Sequence, residues 1–74
     1  MCLGVPGKVL QKLDNGVARV DVHGNQTDIS IKLTPEVEEG QFVLIHAGFA
    51  MEIVDEEVAR ETISYMEELG WYDN

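Results

Sequence analysis

Cysteine occurs once in this chain, at position 2, and that scarcity excludes two ways of holding a small protein together. One thiol forms no intrachain disulfide and builds no zinc site of several thiolates. Cations are scarce as well: five Lys and Arg stand against 14 Asp and Glu, for a formal net charge of -9. So few cations argue against binding to nucleic acid or anionic membrane, both of which need Lys and Arg to displace counterions. No run approaches the roughly 20 apolar residues of a membrane span. The first residues have neither the basic start nor the apolar stretch of a secretory signal. With a lone free thiol, which suits a reducing compartment, the expectation is a cytoplasmic protein.

At 74 residues the chain is expected to be a single domain, 1–74, with a modest core. Stability must then come from packing, from a partner, or from both. The acid is unevenly spread. Positions 55–74 hold seven acids against Arg60 alone, which leaves -6 there and -3 for the rest. A solvated helix face accounts for this; steering of a basic partner is the alternative.

Periodicity divides the chain into short strands and one helix. Pro6 and Gly7 punctuate the start, and 8–13 is a first strand. Asn15-Gly16 between apolar runs predicts a hairpin, because a type I′ turn needs positive φ at both central residues. Residues 17–22 alternate, with Ala18, Val20 and Val22 on one side. A turn at 23–26 leads to a third strand, 27–33, with Ile29, Ile31 and Leu33 expected inside. The longest loop, 34–40, precedes Phe42-Val43-Leu44-Ile45, which reads as a strand buried on both sides. A last strand places Phe49, Met51 and Ile53 on one face, and Gly48 before it marks a bulge, a bend or a close backbone approach.

The period lengthens at Asp55, a good N-cap followed by Glu56 and Glu57. Val58, Thr62, Tyr65, Met66 and Leu69 form the expected apolar stripe, flanked by Ala59 and Ile63, and Gly70 is placed to end the helix. The aromatics of the tail, 71–74, either staple the helix end to the barrel or offer a contact patch. Five short strands with tight turns, then one helix, predict a mainly β fold: a small OB-like five-stranded β-barrel over 1–54 followed by a C-terminal α-helix over 55–70.

Chemistry is confined to few residues. There is no phosphate loop, no Ser-His-Asp pattern and no Glu-x-x-His pattern. Cys is small enough for removal of the initiator Met1, which would leave Cys2 with an α-amine and a thiol on one residue. The neighbouring ammonium favours thiolate, a soft metal ligand and nucleophile. The alternative is a frayed terminal residue without a role. His46 ends the most apolar strand and could bind a metal, hold a thiolate by a hydrogen bond, or simply satisfy a backbone carbonyl. His23 lies in a Gly-containing turn and is expected to be exposed and silent. Cys2 and His46 give an incomplete ligand shell. It suits a metal fragment held partly elsewhere rather than a closed structural site.

Two stretches resemble a known family. Met1-Cys2-Leu3-Gly4-Val5-Pro6-Gly7-Lys8-Val9 is similar to the N-terminal signature of the HypC (HupF) family of [NiFe]-hydrogenase maturation chaperones. Residues 40–50, from Gly40 to Ala50, resemble its second signature. The resemblance implies an OB-like barrel and no enzymatic activity of its own. It also implies a transient cargo, iron as Fe(CN)2CO, with no cofactor permanently bound. It implies two partners, a HypD-type iron–sulfur scaffold and the hydrogenase large-subunit precursor. Cys2 maps onto the family's essential cysteine and His46 onto its second candidate functional residue, which makes Cys2 and His46 the candidate iron ligands, with an orienting role as the alternative for His46. Leu3, Gly4, Val5, Pro6, Gly7, Gly48 and Phe49 would form the partner-binding surface with them. Competing readings are a docking chaperone that carries no metal, an OB-like nucleic-acid binder, and an enzyme using Cys2 as nucleophile.

Overall fold

The computed structural model describes residues 4–70. Within them five strands, β1 (Val5–Lys12), β2 (Val17–Val22), β3 (Asn25–Ser30), β4 (Phe42–His46) and β5 (Phe49–Val54), precede one helix, α1 (Glu56–Leu69). The strands close into a barrel in the order β1-β2-β3-β5-β4, antiparallel throughout except between β3 and β5. This is the expected five-stranded OB-like barrel with its helix.

The turns follow from local chemistry. Asn15 and Gly16 both take positive φ, 65° and 72°, as the hairpin expectation required. Two further turns use the same device with less typical residues: His23-Gly24 (52°, 89°) and Ala47-Gly48 (54°, 84°). Both are tight two-residue loops, since Val22 pairs with Asn25 and His46 with Phe49. β3 therefore begins two residues earlier than the alternation suggested. Gly48 is a turn glycine with open space around it, not a site of close backbone approach.

Two bulges reset the alternation. β1 has Val9 opposite Val20 but Gln11 opposite Arg19, so Leu10 is the extra residue. The carbonyl and amide of Val9 bond Gly40 and Gln41 at 2.8 Å each, tying the long loop to β1. In β5 the register steps from Ala50 to Glu52 opposite consecutive residues of β4, which makes Met51 the extra one. Ala50 is consequently buried and Met51 half exposed, against the expectation that Phe49, Met51 and Ile53 share a face.

The core cluster is Val9, Ala18, Val20, Ile29, Ile31, Val37, Val43 and Ala50. Fully burying a Val or Ile contributes about 1.5–3 kcal/mol. Two members lie beyond the strands. Ile31 follows β3, and Val37 belongs to the loop 34–40, which plugs the barrel. Leu33, expected inside, is 58% exposed: the Thr34 amide bonds the Ile31 carbonyl at 3.1 Å, and the resulting turn throws Leu33 outward. Thr34 is buried, and its hydroxyl has no hydrogen-bond partner among the described residues. On the barrel's outside, Arg19 Nε bonds Asp28 Oδ1 at 3.0 Å. That hydrogen bond, and then the carboxylate's charge, raise the guanidinium pKa above its ordinary value.

Helix α1 runs as expected, with Asp55 before it and Gly70 (φ 80°) closing it. The Asp55 side chain makes no cap hydrogen bond; its carbonyl instead accepts from the Ala59 amide at 2.9 Å. The helix packs on β1 and β4. Leu44 and Ala59 are buried outside the main core cluster, and Pro6, paired with Leu44, is buried with them. Side-chain alternation turns Val43 inward and Leu44 outward, so these three form a second small contact between the barrel wall and the helix. Ala59, Thr62, Ile63 and Met66 are at least partly buried, whereas Val58, Tyr65 and Leu69 are exposed. The expected apolar stripe thus splits: Thr62 and Met66, with the flanking Ala59 and Ile63, face the barrel, and the rest of it faces away. No helix among the described residues is long and apolar enough to cross a membrane.

Candidate functional site

Cys2 and Leu3 lie outside the described residues. What the structure describes is the root from which they extend. β1 starts at Val5, three residues before the strand expected from sequence, and Pro6 and Gly7 are part of it rather than punctuation ahead of it. The strand can absorb both because Pro at its beginning forfeits only one ladder donor, and Gly7 sits where a side chain has no room.

That lack of room is specific. A Cβ on Gly7 would meet Ile45 Cδ1 at 2.6 Å and Val22 Cγ2 at 3.2 Å. A Cβ on Gly4 would meet Leu44 Cβ at 2.9 Å and the Ile45 amide nitrogen at 3.2 Å. Both glycines and Pro6 are buried, and Val5 is half-buried against Ile45. The segment assigned from sequence to partner binding therefore does prior structural work. Gly4 lets the chain lie against β4, Pro6 sits beneath the helix, and Gly7 opens the barrel interior to Ile45. No sequence signal distinguished these steric glycines from flexible ones.

His46 ends β4 beside this root. Val5 pairs with Ile45, the residue before His46, and Gly4 lies against Leu44 and the Ile45 backbone. The imidazole is exposed. The turn residue next to it, Ala47, holds positive φ without being glycine, an uncommon conformation for a residue with a Cβ. Phe49 pairs with His46 across the turn and is 45% exposed. His46, Gly48 and Phe49 thus come together at the barrel end where β1 begins. Among the described residues no group of three His, Cys, Asp or Glu is arranged to hold a metal ion. His46 is the one described residue of the expected ligand pair.

His23 has more structure around it than expected. β1 lies between β2 and β4, so the His23 turn and the His46 turn flank the start of β1 on its two sides. His23 Nδ1 is 3.4 Å from Glu67 Oε2, which links this turn to the far end of α1. The helix accordingly spans from its contacts on β4 and β1 toward the β2–β3 turn. Sequence reasoning had no access to this pairing, because 44 positions separate the two residues and only the packed helix brings them together.

The comparisons with known proteins agree with this architecture in extent and identity. The model of the HupF/HypC family matches residues 1–66. Hydrogenase maturation factor HypC of Synechocystis sp. is 40% identical over 75 aligned positions, covering 95% of this chain and 99% of that protein. The protein of the same name from Escherichia coli K12 is 39% identical, over 93% of this chain and 82% of its own length. Hydrogenase maturation factor HybG of the same strain is 39% identical, over 96% and 94%. The match runs from the N-terminal segment rooted at Gly4 through both flanking turns and most of the helix, and the chain belongs to the HupF/HypC family.

Proposed function

We propose that this protein is a [NiFe]-hydrogenase maturation chaperone that carries the Fe(CN)2CO fragment on Cys2 between a HypD-type iron–sulfur scaffold and the hydrogenase large-subunit precursor, in the cytoplasm. The observation that carries the proposal is the anchoring of the N-terminal segment. Gly4, Pro6 and Gly7 are buried, so the chain two residues after Cys2 is fixed against Leu44 and Ile45, at the end of β4 that His46 closes.

The iron fragment is cargo. Low-spin Fe(II) with cyanide and carbon monoxide is a soft centre that accepts thiolate. Loading deprotonates the Cys2 thiol and forms one Fe–S bond. Transfer breaks that bond as a thiolate of the recipient forms its own, and Cys2 recovers a proton. Iron stays Fe(II) throughout, so neither step needs an electron. A single thiolate suits release better than a closed shell of four ligands. His46 serves either as a further ligand or as the base that orients and deprotonates the thiol. Exposed Phe49, with half-buried Val5, offers apolar surface beside it.

Infrared spectra of the protein purified anaerobically with its HypD-type partner, wild type against Cys2→Ala, test this reading. Cyanide and carbonyl stretches present in wild type and lost in the variant are the expected result. If the wild-type complex forms without such bands, the protein is a docking chaperone that holds the precursor open and carries no iron. Full hydrogenase maturation by Cys2→Ala in cells would remove the carrier role altogether.

A further inference from the structure

Helix α1 carries two apolar stripes side by side, and the barrel uses one. Ala59 is fully buried, with Ile63 and Met66 partly buried on the same side. Val58, Tyr65 and Leu69, spaced i, i+7 and i+11, make the other stripe and remain 45%, 65% and 65% exposed. At 3.6 residues per turn, Glu57, Glu61 and Glu68 fall in one row along the solvent border of that second stripe. All three are exposed, and none of their side chains has a hydrogen bond or ion pair among the described residues. The helix's one cation, Arg60, is on the opposite side and bonded to Glu56.

Such a face is costly to the isolated chain. It leaves large apolar groups in water and sets like charges at helical spacing. Glu68 also stands in the last turn, where the helix dipole disfavours an anion and no basic residue compensates. An apolar stripe with anchors at helical spacing and a carboxylate row on one border is complementary to a groove with an apolar floor and cations along one wall.

We propose that the Val58–Tyr65–Leu69 stripe docks in such a groove on a folded protein partner, with Glu57, Glu61 and Glu68 against a row of Lys or Arg. The assignment rests on the reading above, in which the chain works in complexes with maturation partners, and it adds where one of them grips. A second copy is a poor occupant, since it would bring the same acidic row and another net charge of -9. The helix lies over β1 and β4, so a partner held there is also held next to the start of β1, three residues after Cys2 in the chain. That hold is independent of cargo. The iron–thiolate bond can then be exchanged without dissolving the complex, because the helix contact keeps the effective concentration high.

The test measures affinities of the full chain for a purified HypD-type scaffold and for a purified large-subunit precursor. It compares wild type, Tyr65→Ser with Leu69→Ser, Glu61→Lys with Glu68→Lys, and Cys2→Ala. Circular dichroism checks that each variant keeps its helix. Both helix pairs should weaken binding to one of the two partners by about tenfold or more. The loss from the charge pair should shrink at high salt, and Cys2→Ala should retain the helix-dependent part. Unchanged affinity for both partners overturns the docking assignment. So does wild-type self-association that the helix variants abolish, which gives the stripe to a second copy. Binding that appears only after deletion of residues 71–74 overturns it too, by making the tail the occupant. Lost maturation in Cys2→Ala with intact binding in the helix variants would remove the docking surface and leave the carrier. The converse pattern would remove the carrier and leave the docking surface.

Discussion

Gly7 does its work by having no side chain. Ile45 reaches from β4 to within 2.6 Å of where a Cβ would stand, and Val22 closes the other side at 3.2 Å. Gly7→Ala must push the end of Ile45 aside or shift β1, and overpacking of this kind costs about 1–3 kcal/mol. Because the nearest atom is the tip of a flexible side chain, Ile45→Val in the same molecule should restore much of the loss. Urea unfolding of wild type, Gly7→Ala and the double variant measures this; a double variant no more stable than Gly7→Ala would show that backbone displacement, not the Ile45 contact, sets the cost. Gly4→Ala has no such rescue, since one of its neighbours is the Ile45 backbone amide. At this scale the sequence identified the right stretch with an incomplete reason. Gly4, Pro6 and Gly7 stood out through the family resemblance, but whether a glycine serves flexibility or close packing depends on neighbours from distant strands. Asn15-Gly16 was legible because a turn's φ requirement is local. Gly48 was read as a bulge, a bend or a close approach without a choice among them, because alanine before it is not a residue that two-residue turns favour.

Helix α1 shows the limit of periodicity. Residues 58, 62, 65 and 69 lie on one stripe and 59, 63 and 66 on the next, about a quarter turn away. Both are apolar enough to be a core face, and only docking on β1 and β4 decides between them. The small Ala59 lets the helix come close to Pro6 and Leu44, so the second stripe wins the barrel. The ends of the helix were legible, with Gly70 in the left-handed conformation where the sequence placed the stop. The Asp55 cap was right in position but not in chemistry, since its carboxylate makes no cap bond. At the other end Glu67 and Glu68 face the negative pole of the dipole without a cation in the last turn. Glu68→Lys should therefore stabilise the isolated protein by about 0.3–1 kcal/mol, read as a raised thermal midpoint at low salt. The same substitution belongs to the pair expected to weaken partner binding. A gain in stability with a loss of affinity would mark Glu68 as kept for interaction at the expense of the fold. An unchanged or lowered midpoint would mean that the carboxylate is already compensated.

The barrel as a whole is closed at one weak seam. β2 and β3 share six paired positions, while β3 and β5 share one, Ser30 with Phe49. Around it the Ser30 amide bonds the Gly48 carbonyl at 2.9 Å. The hairpins were readable because each forms between neighbours in sequence. The parallel closure was not, since nothing local in residues 25–30 or 49–54 names its partner. The seam also bears on function, because Gly48 belongs to the turn that carries His46 and Phe49. Opening β3 from β5 would free that turn to move relative to the root of the Cys2 segment. Native-state hydrogen exchange can measure the opening. The Ser30 amide should exchange through a local fluctuation, with a free energy below that of global unfolding and a shallow dependence on denaturant. Amides within β2, held between β1 and β3, should exchange only with global unfolding and its full denaturant slope. If Ser30 instead shares the slope and free energy of the β2 amides, the barrel opens as one unit. The His46 turn would then be as fixed as the core, and any adjustment between cargo loading and release would have to come from the Cys2 segment and the helix.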